Sequence, residues 1–331
     1  MIWRHVMLAL LTIESVPGHV IDRVGRLVRG LQAELELFHP SYEPEVFREI
    51  AAGGAIEKLI ASHIAERHRR LERVADTLRD QSLEVRSSVR VDYPIFEAVI
   101  RHALRQGSSL VILPVARADP SGKGSLSYTE ARLIEVCPCP LLLLKTAQVY
   151  SQGPIIAAVD PRHVREKPAE LDDAIVAAAE TLSSALSDAP VRLYHAVQPT
   201  GEHITPEVVD DKVASRAQPT RQKEYFLESE HLVQELAMRH EIQRDRVQIE
   251  AGPVESSLPI YARQARADVV VMGAVSRSYP QAAFFGYTAE RVLTALNCDV
   301  LIVKPKGFRC PVSRRPHRNA AERLRAGHRR S

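Results

Sequence analysis

A chain of 331 residues has room for two globular domains, and 45% hydrophobic with 26% charged residues supports an ordinary core in each while excluding a disordered or collagen-like chain. Four cysteines make no disulfide framework, which points to a reducing compartment and a cytoplasmic protein, and no apolar run approaches the roughly 18 residues of a membrane span. The net charge of +3 is uneven: Lys306–Ser331 carries nine Lys/Arg and one Glu, so that segment is +8 and the remainder −5.

In chain order, the apolar stretch 5–11 reads as a first buried strand. Met1–Leu11 lacks the longer apolar core and small-residue cleavage site of a signal peptide. A helix is predicted at 16–31, a strand at 33–38 and a helix at 55–80, where Ile56, Leu59, Ile60, Ile64, Leu71, Val74, Ala75 and Leu78 form a helix-period stripe. A strand at 83–90, a helix at 94–106, a strand at 109–114, a helix at 126–136 and a strand at 140–145 follow. Thr146–Gly153 is short and polar and reads as a linker. The pattern then restarts: strand 154–160, helix 168–187 and strand 190–197. Gln198–Gln222, with Pro199, Gly201, Pro206 and Pro219 and little periodicity, reads as a long loop of the kind that is mobile or functional. Helix 222–241, strand 246–251, helix 255–266, strand 268–273, helix 286–296 and strand 299–304 complete the second half. Short continuous apolar strands alternating with helices predict a parallel sheet covered on both faces. The fold class is therefore α/β, two tandem doubly wound, five-stranded Rossmann-like domains at 1–148 and 153–306, with a basic tail at 307–331 expected to be disordered.

The two halves repeat each other. Tyr128-Thr129-Glu130-Ala131-Arg132 recurs as Tyr287-Thr288-Ala289-Glu290-Arg291, and Cys139 and Lys145 recur as Cys298 and Lys304, all at one offset of 159. A repeat of that length is a duplicated domain.

The final third of each half, most strongly 255–305 and 109–145, resembles the universal stress proteins. Nucleotide-binding members of that family carry Gly-x-x-Gly, nine residues, then Gly-Ser/Thr at the start of the last helix. Here the second half has Gly273, Ser276 and, after nine residues, Gly286-Tyr287-Thr288. Asp160, closing the first strand of that half, stands where the family places an acidic residue beside the nucleotide. Gly286–Glu290 and Cys137-Pro138-Cys139-Pro140 look like the tandem E-type bacterial members. The resemblance implies a stress-response binding or signalling module without turnover of its own. It also implies pairing of the two domains through their last strands, 140–145 and 299–304, and homodimers are a further expectation.

The chemistry of that pattern is phosphate binding. Glycines let backbone approach an anion, and a helix start presents N–H groups and the positive end of its dipole. Asp160, Gly273, Ser276, Gly286, Tyr287 and Thr288 are the candidate site residues, for ATP or another nucleotide-like or small anionic ligand. Ser276 and Tyr287 depart from the pattern by adding bulk, so an empty site with glycines serving only as turns stays open. The first half has Pro114, Arg117 and Ser127 at the equivalent positions and Leu11 near the Asp160 equivalent, which reads as a degenerate site. Gly122-Lys123-Gly124-Ser125 lacks the P-loop order and reads as a loop.

Cys137 and Cys139 are too few ligands for structural zinc. His39 and His195 fall at equivalent strand ends and read as hydrogen-bonded structural residues or as groups facing a ligand. Arg162 and His163 could meet an anion or be solvated. No catalytic residue stands out, and a slow ATPase or nucleotide-dependent switch using Asp160, Gly273 and Gly286 stays open as the alternative to a non-catalytic module. The tail's arginines allow weak, salt-sensitive contact with nucleic acid or an anionic surface, without aromatic platforms for bases.

Overall fold

The computed structural model describes residues 3–42, 56–115, 126–162, 170–198, 211–274 and 287–315, of which 56–60, 211–222 and 287 are described through the backbone alone. They form two units, the first centred on Met1–Ser151, the second on Gln152–Ser183 and Ala189–Lys306.

The first unit runs β1 (His5–Ala9), α1 (Gly18–Leu31), β2 (Glu34–Ser41), α2 (Ile56–Arg79), β3 (Val85–Val91), α3 (Ile95–Gln106), β4 (Leu110–Pro114), α4 (Tyr128–Val136) and β5 (Leu141–Leu144). All its strands are parallel, in the order β3-β2-β1-β4-β5. The second unit runs β6 (Ile155–Ala158), α5 (Glu170–Ala185), β7 (Val191–Val197), α6 (Asp211–Arg239), a single 3-10 turn (Arg244–Arg246), β8 (Val247–Ala251), α7 (Val254–Gln264), β9 (Val269–Gly273), α8 (Tyr287–Ala295) and β10 (Asp299–Val303). Its order, β8-β7-β6-β9-β10, is again all parallel and is the same topology.

Composition explains the strands. β5 is four leucines, all buried, and Leu110 to Leu113 of β4 are each 0% exposed. Such strands have no face to offer water and need helices on both sides. α1 supplies one cover by burying Val20, Val24, Leu27 and Val28, spaced as one face of a helix. Each such side chain contributes roughly 1.5–3 kcal/mol on burial.

Two features differ from the sequence reading. α6 starts at Asp211, inside the stretch read as loop, and its backbone continues through Pro219. That stretch has no apolar stripe but is rich in Ala, Arg, Gln and Lys, which favour helix without amphipathic burial. Residues 199–210 lie outside the described residues. The linker is also more than a polar connector. Tyr150 is buried, Arg23 of α1 stacks on its ring at 4.4 Å and donates to the Thr146 carbonyl, and Arg26 donates to the Tyr150 carbonyl at 2.8 Å. Of the tail, 307–315 carries no helix or strand, and 316–331 lies outside the described residues. Among the described residues no helix is long and apolar enough to cross a membrane.

Gly153, where the second unit begins, has no room for a side chain: a Cβ would stand 2.2 Å from the Arg266 carbonyl oxygen. Gly18, at the start of α1, would meet nothing within 4 Å. Gly153→Ala should therefore destabilise the second unit by about 1–3 kcal/mol, while Gly18→Ala stays within about 0.5 kcal/mol of the parent, as read in urea melts.

Candidate functional site

In each sheet the strand order reverses between the first and fourth strands, so the crossovers leave on opposite faces and a crevice opens beyond the carboxyl ends. In the second unit that point lies between β6 and β9, which pair with Ala158 opposite Met272. Gly273 follows that pair by one residue and Asp160 by two, so two of the residues singled out from sequence fall at the same end of neighbouring strands, at the crevice.

The chain leaving β6 is held at three points. Val159 donates its N–H to the Tyr194 carbonyl at 2.9 Å, its own carbonyl meets His195 Nδ1 at 3.0 Å, and Asp160 donates its N–H to Asp172 Oδ1 at 2.9 Å. Asp172 is 3% exposed and belongs to the first turn of α5, where the helix dipole favours a carboxylate. The Asp160 side chain is 45% exposed, with Oδ1 3.9 Å from His195 Nδ1. Sequence reasoning missed Asp172, because nothing in its spacing marks it as a partner of Asp160.

The first unit repeats two of the three bonds. Leu10 donates to the Phe38 carbonyl at 2.8 Å, and His39 Nδ1 meets the Leu10 carbonyl at 2.8 Å. This equates Leu10 with Val159, and so Leu11 with Asp160. Both histidines thus brace the chain leaving the first strand. Burial pushes the His39 imidazole below its ordinary value.

Gly273 ends β9 as Pro114 ends β4: Ala274 donates to the Val303 carbonyl, and Val115 to the Leu144 carbonyl, both at 3.1 Å. Pro114 has no N–H to offer a ligand. A Cβ on Gly273 would stand 2.7 Å from Leu171 Cδ2 and 3.3 Å from Ile175 Cδ1. Packing of β9 against α5 therefore accounts for this glycine by itself.

The helix starts separate the two units most sharply. In α4, Ser127 Oγ accepts from the Glu130 N–H at 3.2 Å and Glu130 Oε2 accepts from the Ser127 N–H at 2.7 Å, a reciprocal capping box. Glu130, 9% exposed, thus lays a carboxylate of the protein itself on the helix N-terminus. At the equivalent positions the second copy has Gly286 and Ala289, and neither side chain can cap. Its glutamate has moved one place along, to Glu290, which is exposed. Thr288 is the second residue of α8 and is part-buried. The side chain of Tyr287, and all of Ser276 and Gly286, lie outside the described residues. The Ser-x-x-Glu signature at 127–130 was there to read, but only its absence from the other copy gives it meaning.

Arg162 is already engaged: it pairs with Glu228 at 2.6 Å and stacks on Tyr225 at 3.5 Å, both on α6. In the first unit Glu14, after β1, pairs with Arg67 of α2. His163, Arg117 and Gly122–Ser125 lie outside the described residues. Among the described residues no group of three or more His, Cys, Asp or Glu side chains could hold a metal ion. The second crevice therefore has an acid, Asp160, on its β6 side, and the sequence at the start of α8 lacks the Ser-x-x-Glu pair that caps α4. Such a pair of ends suits a ligand with hydrogen-bond donors at one end and negative charge at the other.

Comparison with known proteins agrees with this architecture. The universal stress protein family matches residues 154–304. Universal stress protein E of Photorhabdus laumondii is 25% identical over 297 residues, covering 89% of this chain and 90% of that protein. Universal stress protein E of Escherichia coli K12 is 28% identical over 221 residues, covering 66% and 67%. Among solved structures, a functionally unknown protein of Pseudomonas aeruginosa PAO1 shares the fold with a TM-score of 0.66 at 23% identity, covering 92% of this chain and 93% of that one. A universal stress protein from Archaeoglobus fulgidus does so with a TM-score of 0.57 at 14% identity, covering 91% and 98%.

Two outcomes follow from these contacts. Ser127→Ala should lower the stability of the first unit by about 1 kcal/mol in urea melts, through loss of the cap. Because the folded state keeps His39 neutral below its ordinary range, the unfolded chain takes up the proton first as pH falls. The His39 contribution is present above about pH 6.5 and is lost as pH drops below it. Melts at pH 7.5 and pH 5.5 should show a stability loss that is smaller in His39→Gln.

Proposed function

We propose, since residues 154–304 match the universal stress protein family and the chain is similar to universal stress protein E over most of its length, that it is a non-catalytic stress-response binding module whose second unit takes a phosphate-bearing nucleotide and whose first unit takes none. The observation that carries this reading is the exchange of the capping pair Ser127 and Glu130 for Gly286 and Ala289. A ligand phosphate at α4 would have to displace a carboxylate already bonded there. At α8 the same position has no side-chain acceptor, and a phosphate on the helix N–H groups would gain both hydrogen bonds and the dipole. Asp160, its backbone N–H bonded to Asp172 and its carboxylate 3.9 Å from His195, would accept from an amino or hydroxyl group at the other end of the ligand.

The test is native mass spectrometry of the purified chain followed by titration with ATP. A bound nucleotide, or ATP affinity abolished by Gly286→Trp, is the expected result. The double exchange Gly286→Ser with Ala289→Glu installs the first unit's capping box in the second. It should raise thermal stability while weakening ATP binding at least about tenfold, equivalent to about 1.4 kcal/mol. A chain that ignores ATP, or an exchanged chain that binds it equally, would sink the reading.

A further inference from the structure

At the opposite end of the first unit's sheet, where α4 hands over to β5, two cysteines meet. Cys137 is the C-cap of α4, its N–H bonded to the Leu133 carbonyl at 2.9 Å. Pro138 separates it from Cys139, and Pro140 leads into β5. The two prolines fix φ on either side of Cys139, so this stretch has few conformations. The sulfurs lie 3.9 Å apart, and neither belongs to a disulfide. Cys137 is 1% exposed and Cys139 is part-exposed.

We propose that Cys137 and Cys139 form a redox pair, closed to a disulfide by a hydroperoxide and reopened by small cellular thiols. A disulfide needs about 2.05 Å between sulfurs, so closure asks for about 2 Å of movement, within reach of rotations about two Cα–Cβ bonds. Two residues of chain span at most about 7 Å, at the edge of the Cα separations disulfides accept. Cys139 is the less buried residue of the two, so its sulfur is the one assigned to meet the oxidant. Its thiolate attacks the hydroperoxide, the O–O bond breaks, and the departing alkoxide takes a proton, leaving Cys139 as a sulfenic acid. The Cys137 sulfur then attacks that sulfur. The S–O bond breaks, and the hydroxide leaves with the Cys137 proton as water. Two thiols and one hydroperoxide have become one disulfide, one alcohol and one water.

The adjoining Cys137 sulfur, and burial after it, push the Cys139 thiol well above its ordinary value. The negative end of α4 acts in the same direction. Because the thiolate is the nucleophile, the first step is slow at neutral pH and quickens as pH rises. The second step is intramolecular between touching sulfurs. Disulfides in reducing compartments are typically transient and redox-sensing, and a ring closed over one intervening residue gains little loop entropy to resist reduction.

The full-length chain, treated with hydrogen peroxide at pH 7 and at pH 8.5, denatured, alkylated and mapped by mass spectrometry, tests this. The expected product has lost the mass of two hydrogens in the peptide holding Cys137 and Cys139, while Cys298 and Cys310 still alkylate. It forms several-fold faster at pH 8.5, and reduced glutathione restores both thiols. Cys137→Ser and Cys139→Ser, each checked for folding by circular dichroism, should both abolish it. Four alkylatable thiols after treatment, or a disulfide from Cys139 to Cys310 or to a second chain, would overturn the proposal.

Discussion

Each unit depends on how its chain leaves the first strand at the point where the sheet reverses order. Helices cover both faces of a doubly wound sheet, but the reversal leaves the carboxyl ends of two neighbouring strands without a crossover above them. Polar backbone is exposed to partners there and must be held. In both units the residue after the first strand is clasped by the second strand, through a backbone bond and a histidine ring. The second unit adds Asp172, which anchors the Asp160 backbone N–H. The site is thus an extension of sheet construction, built by the same contacts that order the strands.

Much of this was legible in the chain itself. Continuous apolar runs marked most of the strands, because covered strands cannot hide their composition; β3 (VRSSVRV) and β8 (VQIEA), which are only partly buried, were placed by the strand–helix alternation. The equivalence of His39 and His195 was visible from their common position, and the structure supplies the shared bond to a first-strand carbonyl. Three things were not legible. The start of α6 was missed because propensity without an apolar stripe leaves no period, and Pro219 argued for a break. Gly273 carried a phosphate-binding expectation, while its nearest neighbours are Leu171 and Ile175, whose approach depends on how α5 lies on the sheet. Asp172 is twelve residues from Asp160 with nothing between them to mark the contact.

The Gly273 result bears on how motifs are read. A glycine at the end of a strand can serve ligand approach or close packing, and the contact present here is packing against Leu171 and Ile175. The discriminating information sits instead at the helix starts, where one copy caps itself with Ser127 and Glu130 and the other has Gly286 and Ala289 at those positions.

That divergence has an unusual economy. Glu130-Ala131 and Ala289-Glu290 contain the same two residues in opposite order. Transposing them changes neither net charge nor hydrophobicity nor summed helix propensity. It rotates one carboxylate by about 100° around the helix axis, from above the N-terminus to the outer surface. Duplicated domains can therefore drift into different roles by a change that leaves solubility, isoelectric point and bulk composition untouched, and only comparison of the two copies position by position reveals it.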